Sequence, residues 1–150
     1  MRAAVLTVSS SRTATDDASG DTLERLIGDS GFELSGREWA NDERAAIETA
    51  LRRLAVAADL VLTTGGTGLT ADDVTPEATL AVVDREVPGI AEALRAASLR
   101  HTPLAMISRA TAGTIGSCLI VNLPGSPRAC EQCFAALRPV LEHAHDLLNR

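Results

Sequence analysis

Leu60-Val61-Leu62-Thr63-Thr64-Gly65-Gly66-Thr67-Gly68, then four residues, then Asp73-Val74-Thr75-Pro76-Glu77-Ala78, sets the class of fold. Leu60–Thr63 is a short apolar run of the kind that forms a buried strand, and it runs straight into glycines. Thr75-Pro76-Glu77 opens a helix, with Thr75 as its cap and Pro76 at the first helical position, where a missing N–H costs nothing. Strand, glycine loop and helix in that order make a β–α unit, and the same alternation continues on both sides. Upstream, Ala3–Val8 reads as an apolar strand followed by a polar loop, Ser9–Ala18. Gly20–Ser30 reads as a helix with Leu23, Leu26 and Ile27 on one face, and Phe32–Trp39 as a weakly alternating strand. Glu43–Ala58 carries Ile47, Ala50, Leu51, Leu54 and Ala58 at helical spacing, with Asn41 or Asp42 as its cap. Downstream, Gly89–Arg100 reads as a helix, and Met106–Ala112 and Ser117–Leu123 as strands around a turn at Ala112–Gly116. Ser126-Pro127 repeats the cap-and-proline signal before a long amphipathic helix bent at Pro139. The expectation is one α/β domain over residues 1–150, a sandwich around a mostly parallel sheet.

Composition narrows the function. The 150 residues carry a net charge of −6 and only 2% aromatics. Nucleic-acid binding through a basic field or stacked aromatics has no material here. All 14 basic residues are arginine. Without lysine there is neither a P-loop nor a Schiff-base enzyme. A dinucleotide-binding oxidoreductase is excluded too, because no G-x-G-x-x-G follows the first strand. The apolar runs fall far short of the roughly 18 residues of a membrane span, and no secretory signal pattern opens the chain. A cytoplasmic protein is expected. The three cysteines do not make a disulfide framework. Cys130 and Cys133 share a helix face with Phe134, Leu137 and Leu141 and read as core. His143 and His145 lie two apart on a helix, where side chains do not converge on one metal. Trp39 is read as a packing or subunit-interface residue.

Ligands of such sheets gather at the carboxyl ends of the strands. Three loops arrive there on this reading: Ser9–Ala18, Gly65–Asp73 and Pro124–Arg128. Each leads to a helix start, where free N–H groups and the helix dipole favour an anion. Arg12 and Arg128 lie in these loops, and Arg109 is expected on a nearby strand. Gly65–Gly68 is either a tight turn or a phosphate cradle. Asp72 and Asp73 are either a solvated pair near a helix start or carboxylates separated from a phosphate by a divalent cation. Asp42 is either a plain helix cap or a further carboxylate on the same cation.

Several motifs together resemble the Mog/MoaB family of molybdenum-cofactor biosynthesis, the molybdopterin adenylyltransferases. They are Thr64-Gly65-Gly66-Thr67-Gly68 with Asp73-Val74-Thr75-Pro76-Glu77, Asp84-Arg85-Glu86-Val87-Pro88-Gly89, Ser108-Arg109, and Asn122-Leu123-Pro124-Gly125-Ser126-Pro127. The opening loop, Val8-Ser9-Ser10-Ser11-Arg12-Thr13 followed by Ser19-Gly20, is closer to MoaB-type members. The resemblance spans essentially the whole chain. It implies a three-layer α/β/α fold, a homotrimer or homohexamer, and adenylyl transfer from ATP to the phosphate of molybdopterin with release of pyrophosphate. It assigns Asp42 and Asp73 to Mg²⁺ and ATP as the catalytic, metal-holding carboxylates. It assigns ligand binding to Ser9, Ser11, Arg12, Thr64, Gly65, Gly66, Thr67, Gly68, Ser108, Arg109, Pro124, Gly125 and Ser126. Three positions depart from the family pattern: Ser10 stands where many members have Asp, Asn41 where Pro is usual, and Asp72 where Mog-type members are often basic. A non-catalytic pterin-binding or assembly protein is the alternative function.

Overall fold

A computed structural model describes residues 1–11 and 15–150. Arg12 therefore lies outside the described residues. The elements run β1 (Arg2–Val8), α1 (Ala18–Asp29), β2 (Glu33–Ala40), α2 (Arg44–Ala57), β3 (Leu60–Thr64), α3 (Thr75–Val82), β4 (Arg85–Glu86) and α4 (Pro88–Leu99). A 3₁₀ helix (Pro103–Ile107), β5 (Ala112–Ile115), β6 (Cys118–Leu123) and α5 (Pro127–Leu148) follow.

The strands form one six-stranded sheet in the order β2-β1-β3-β6-β5-β4. β2, β1, β3 and β6 are parallel, and β5 pairs antiparallel with both β6 and β4. Helices cover both faces. One core joins Leu23 and Ile27 of α1, Leu94 of α4 and Phe134, Leu137 and Leu141 of α5 to Val5, Leu62 and Val121 of the sheet. The other joins Ile47, Leu51 and Leu54 of α2 and Ala78 and Val82 of α3 to Leu6, Val61 and Ile120. Successive residues of β1 thus serve opposite cores, which is why it reads as a continuous apolar run rather than an alternation. The result is the expected three-layer α/β/α arrangement.

The chain leaves β1 for β2 on one side and then crosses to β3 on the other, so the strand order turns around at β1. Register brings the carboxyl ends level there: Val8 faces Ala40, Thr7 faces Thr64, and Thr64 faces Leu123. The loops after β1, β2, β3 and β6 therefore open at one edge, where this sheet type holds its ligands.

Three expectations need correction. Met106–Ala112 is not a strand. Thr102 accepts a hydrogen bond from the Leu104 N–H and Pro103 follows, so the segment closes into 3₁₀ turns. Leu104, Met106 and Ile107 face solvent instead of alternating into a core. β5 begins at Ala112 and turns into β6 at Gly116 (φ 55°), which leaves Arg109 on an irregular segment. Thr75 does not cap α3: Val74 holds that position, and the Thr75 hydroxyl donates back to the Gly65 carbonyl at 2.9 Å. Neither Asn41 nor Asp42 caps α2. Glu43 occupies the cap position without a side-chain bond, and the Asp42 carboxylate turns to the β1 loop. The Ser126 cap is present, accepting from the Ala129 N–H at 3.3 Å. Pro139 lies within α5.

Candidate active site

Gly65 and Gly66 take φ of 94° and 68°, a region that residues with a Cβ rarely enter. Space forbids a side chain as well. A Cβ on Gly65 would lie 2.4 Å from the Val8 carbonyl oxygen, and one on Gly66 would lie 2.3 Å from Thr75 Oγ1. The loop is stitched to its surroundings by Gly65 N–H to Leu123 O (3.2 Å), Thr75 N–H to Gly66 O (3.1 Å) and Thr64 Oγ1 to Pro124 O (2.8 Å). Thr64 is fully buried and Thr67 nearly so. The glycine loop, the end of β6 and the start of α3 thus form one rigid piece.

Asp73 is built into the same piece. Its Oδ2 accepts from the Thr70 N–H at 2.9 Å and from Thr70 Oγ1 at 2.7 Å. Burial opposes its ionisation, but the Thr70 and Gly68 hydrogen bonds and the Arg109 charge outweigh that, and its pKa lies below the ordinary carboxylate value. Arg109 closes the piece from outside. It donates to the Gly68 carbonyl at 2.7 Å, to the Asp73 carbonyl and to the Glu77 carboxylate, and its own N–H reaches Thr67 O at 2.9 Å. Its guanidinium is occupied in shaping the loop. Asp72 is exposed beside it.

Asp42 is held on the other side of β1. Its Oδ2 accepts from the Ser10 N–H at 2.8 Å, and its own N–H donates to Ser10 Oγ at 3.1 Å. Ser10 therefore ties the β1 loop to the β2 loop through its N–H and its hydroxyl. Ser9 is joined to β2 by its N–H to Ala40 O (3.0 Å), and Ser9 Oγ lies 3.4 Å from Ser11 Oγ. No cluster of three or more His, Cys, Asp or Glu suited to a metal exists among the described residues.

Pro124, Gly125 and Ser126 bring β6 to the start of α5, and Arg128 is exposed on its first turn. Next to them lies a cavity of about 310 Å³, bounded by α4, the 3₁₀ helix and α5. Its lining includes apolar Leu94, Leu104 and Ile107 and polar Thr67, Gly68, Ser108 and Ser126, with Leu104 and Ile107 also open to solvent. Ser108 Oγ accepts from the Ala110 N–H at 3.3 Å. This volume falls within the range of small-molecule sites. The walls contributed by α4 and the 3₁₀ helix were not visible in the sequence. The Thr102-Pro103 pair was the available signal, since it repeats the cap-and-proline pattern at the start of α5.

A second feature escaped sequence reading. Asp17 is fully buried and accepts from Thr7 Oγ1 (2.6 Å), the Gly20 N–H (3.0 Å), Trp39 Nε1 (3.0 Å) and Arg37 (3.1 Å). Arg37 also stacks 5.0 Å from the Trp39 ring centroid. A Cβ on Gly20 would lie 2.1 Å from the Asp17 carboxylate, so the Asp17-Ala18-Ser19-Gly20 sequence is needed to seat it. This network anchors the far end of the β1 loop. Cys130 and Cys133 are buried core thiols.

Comparison with known proteins shows the family. Residues 4–143 match the family described as "Probable molybdopterin binding domain". The molybdopterin adenylyltransferase of Helicobacter pylori J99 is 37% identical over 139 residues, covering 89% of this chain and 78% of that protein. The molybdopterin adenylyltransferase of Escherichia coli K12 is 45% identical over 109 residues, 71% of this chain and 55% of that protein. The crystal structure of the molybdopterin biosynthesis enzyme MoaB from Thermus thermophilus superposes with a TM-score of 0.89 at 42% identity, covering 98% of this chain and 95% of that one. The chain belongs to the molybdopterin-binding domain family of molybdenum-cofactor biosynthesis.

Proposed function

We propose that the protein is a molybdopterin adenylyltransferase. The observation that carries this reading is the union of an apolar cavity with two anion-receptive backbone elements in its lining, the glycine loop and the start of α5. A flat heterocycle fits the cavity, and its phosphate arrives at Thr67, Gly68 and Ser126. ATP lies across the glycine loop toward Ser9, Ser11 and Asp42. An oxygen of the pterin phosphate attacks the α-phosphorus of ATP, a new P–O–P bond forms, and pyrophosphate leaves with the electrons of the broken bond.

Such a transfer needs alignment and charge neutralisation more than a protein nucleophile. Gly66 and Thr67 offer backbone N–H groups, held in place by the stitches of the loop to Leu123, Pro124, Thr75 and Asp73. Thr67 and Ser126 offer hydroxyls. Asp42 and Asp73 would hold Mg²⁺, which when bound neutralises phosphate charge and polarises the reacting phosphoryl group. Arg12, by its place in the sequence after β1, and Arg128 are the candidates for phosphate contact. The reading carries with it cytoplasmic action, where ATP is supplied, and a closed homotrimer or homohexamer; exposed Leu104, Met106 and Ile107 are apolar surface suited to burial between copies.

The test is direct. Purified protein with molybdopterin, ATP and Mg²⁺ should yield adenylylated pterin and pyrophosphate in equal amounts by mass spectrometry and a coupled pyrophosphate assay. Tight pterin binding with no product would instead identify a non-catalytic binding or assembly protein.

A further inference from the structure

Arg95, on α4, is the one charged side chain in the lining of the 310 Å³ cavity among the described residues. It is half-buried, and its Nη1 donates to the Ala110 carbonyl at 2.8 Å and the Ser108 carbonyl at 3.4 Å. These two carbonyls fix the guanidinium but carry no full charge. Among the described residues Arg95 takes part in no ion pair, whereas Arg109 is matched by Glu77, Arg37 by Asp17, Asp21 and Glu24, and Arg53 by Glu38. Ala91, Leu94 and Ala110 are among the apolar residues that line the cavity with it. The remaining N–H donors of this partly buried guanidinium form a planar fork suited to a compact anion.

Resting on the reading that the cavity takes a pterin, we propose that Arg95 is its anion-recognition residue, pairing with an anionic group of the substrate, either the phosphate or the dithiolene sulfurs. Backbone N–H groups of the glycine loop and the start of α5 receive the transferred phosphoryl region. Arg95 supplies the full positive charge that those dipoles lack, from beside the Ser108 and Ala110 carbonyls. A neutral pterin of the same ring shape gains nothing from Arg95, so the residue selects for the charged substrate over uncharged pterins.

Arg95 could instead serve only to hold the Ser108–Ala110 backbone, and the variants separate the two roles. Arg95→Gln keeps an N–H donor for the Ala110 carbonyl but removes the charge, and Arg95→Lys keeps the charge without the fork. Fluorescence titrations would use molybdopterin and 6-hydroxymethylpterin, which has neither phosphate nor sulfur, with thermal unfolding measured alongside. Arg95→Gln should weaken molybdopterin binding at least tenfold, Arg95→Lys less, with 6-hydroxymethylpterin binding and the unfolding midpoint unchanged. Inorganic phosphate as competitor identifies the group: displacement of molybdopterin that is lost in Arg95→Gln points to the phosphate, and unaltered displacement with weakened binding points to the sulfurs. Both results support the anion site. Equal weakening of both pterins, or weakening of neither, overturns it. A wild type that binds molybdopterin through Arg95 but forms no adenylylated product defeats the transferase reading alone. A wild type that binds neither pterin defeats both.

Discussion

Asp42 and Asp73 follow strands on opposite sides of β1, and the chain holds them differently. Asp73 is bonded twice by Thr70 and sits in a loop closed by Arg109, Glu77, Thr75 and the end of β6. Asp42 is held through its reciprocal bonds with Ser10, in an exposed pair of loops. The difference teaches a division of labour. The β3–β6 half of the site, with the cavity behind it, is preorganised before any ligand arrives. In the β1–β2 half the Asp42 carboxylate has the Ser10 N–H as its hydrogen-bond donor, and the loop after β1 is anchored at its far end by Asp17. Preorganised dipoles cost no rearrangement at the moment of reaction, which favours putting the phosphate cradle on the rigid half.

The strongest way to break this division is to distort the rigid half. Gly66→Val adds a β-branched side chain at φ 68°, where a Cβ would lie 2.3 Å from Thr75 Oγ1. Pterin binding and turnover should both collapse, while circular dichroism checks that the sheet still forms. The next effect is separable. Asp73→Asn keeps the shape and an oxygen for Thr70 but removes the charge. Adenylyl transfer should fall at least about a hundredfold, roughly 2.7 kcal/mol of transition-state stabilisation, with molybdopterin affinity unchanged or slightly better. Asp42→Asn should match it in transfer. Because Asp42 does not cap α2, the thermal midpoint should stay put; a drop of several degrees would show a structural role instead.

Much of this arrangement could be read from the chain, and the failures have physical causes. Leu60–Thr64 and Cys118–Leu123 are buried on both faces, so their apolar runs announced them. The glycine loop was legible because two consecutive positive φ angles leave little choice of residue. Met106–Ala112 misled because its apolar side chains follow no buried face: a 3₁₀ segment beside a cavity exposes them. Arg85–Glu86 is too short to leave a pattern, and only its pairing with Thr114 and Gly113 makes it a strand. Asp42 was readable as a functional carboxylate only through the family resemblance, since spacing alone made it a cap. Asp17 was missed because its five partners come from β1, β2 and α1, and sequence proximity shows only Ser19 and Gly20.

Asp17 gives a prediction of intermediate size. Burial opposes its ionisation, but bonds from Thr7, Gly20 and Arg37 and the Arg37 charge hold its pKa below the ordinary value. The folded protein thus binds this proton less readily than the unfolded chain. The stability it confers is complete above about pH 4 and is lost as the pH falls through the folded value. Asp17→Asn should flatten this acid limb and cost on the order of 1–3 kcal/mol at neutral pH. Trp39 is the only tryptophan and donates to Asp17, so its fluorescence reports the loss. An unchanged acid limb would rule out this carboxylate as its source. The smallest effect is at the outer clamp. Glu77→Gln removes the charge opposite Arg109 where both are partly exposed, so stability should change by about 1 kcal/mol or less. Turnover should drop severalfold through a looser loop, without a change in nucleotide affinity.

On the proposed reading, pterin binding rests on the cavity and the glycine loop, and adenylyl transfer rests on Asp42 and Asp73, one from each half of the site. The double variant Asp42→Asn/Asp73→Asn tests it, with molybdopterin affinity and single-turnover transfer measured on the same preparation at saturating ATP and Mg²⁺. Wild-type affinity for molybdopterin with no detectable adenylylated product is the expected result. Full transfer by the double variant, or loss of pterin binding together with transfer in a folded protein, would contradict it.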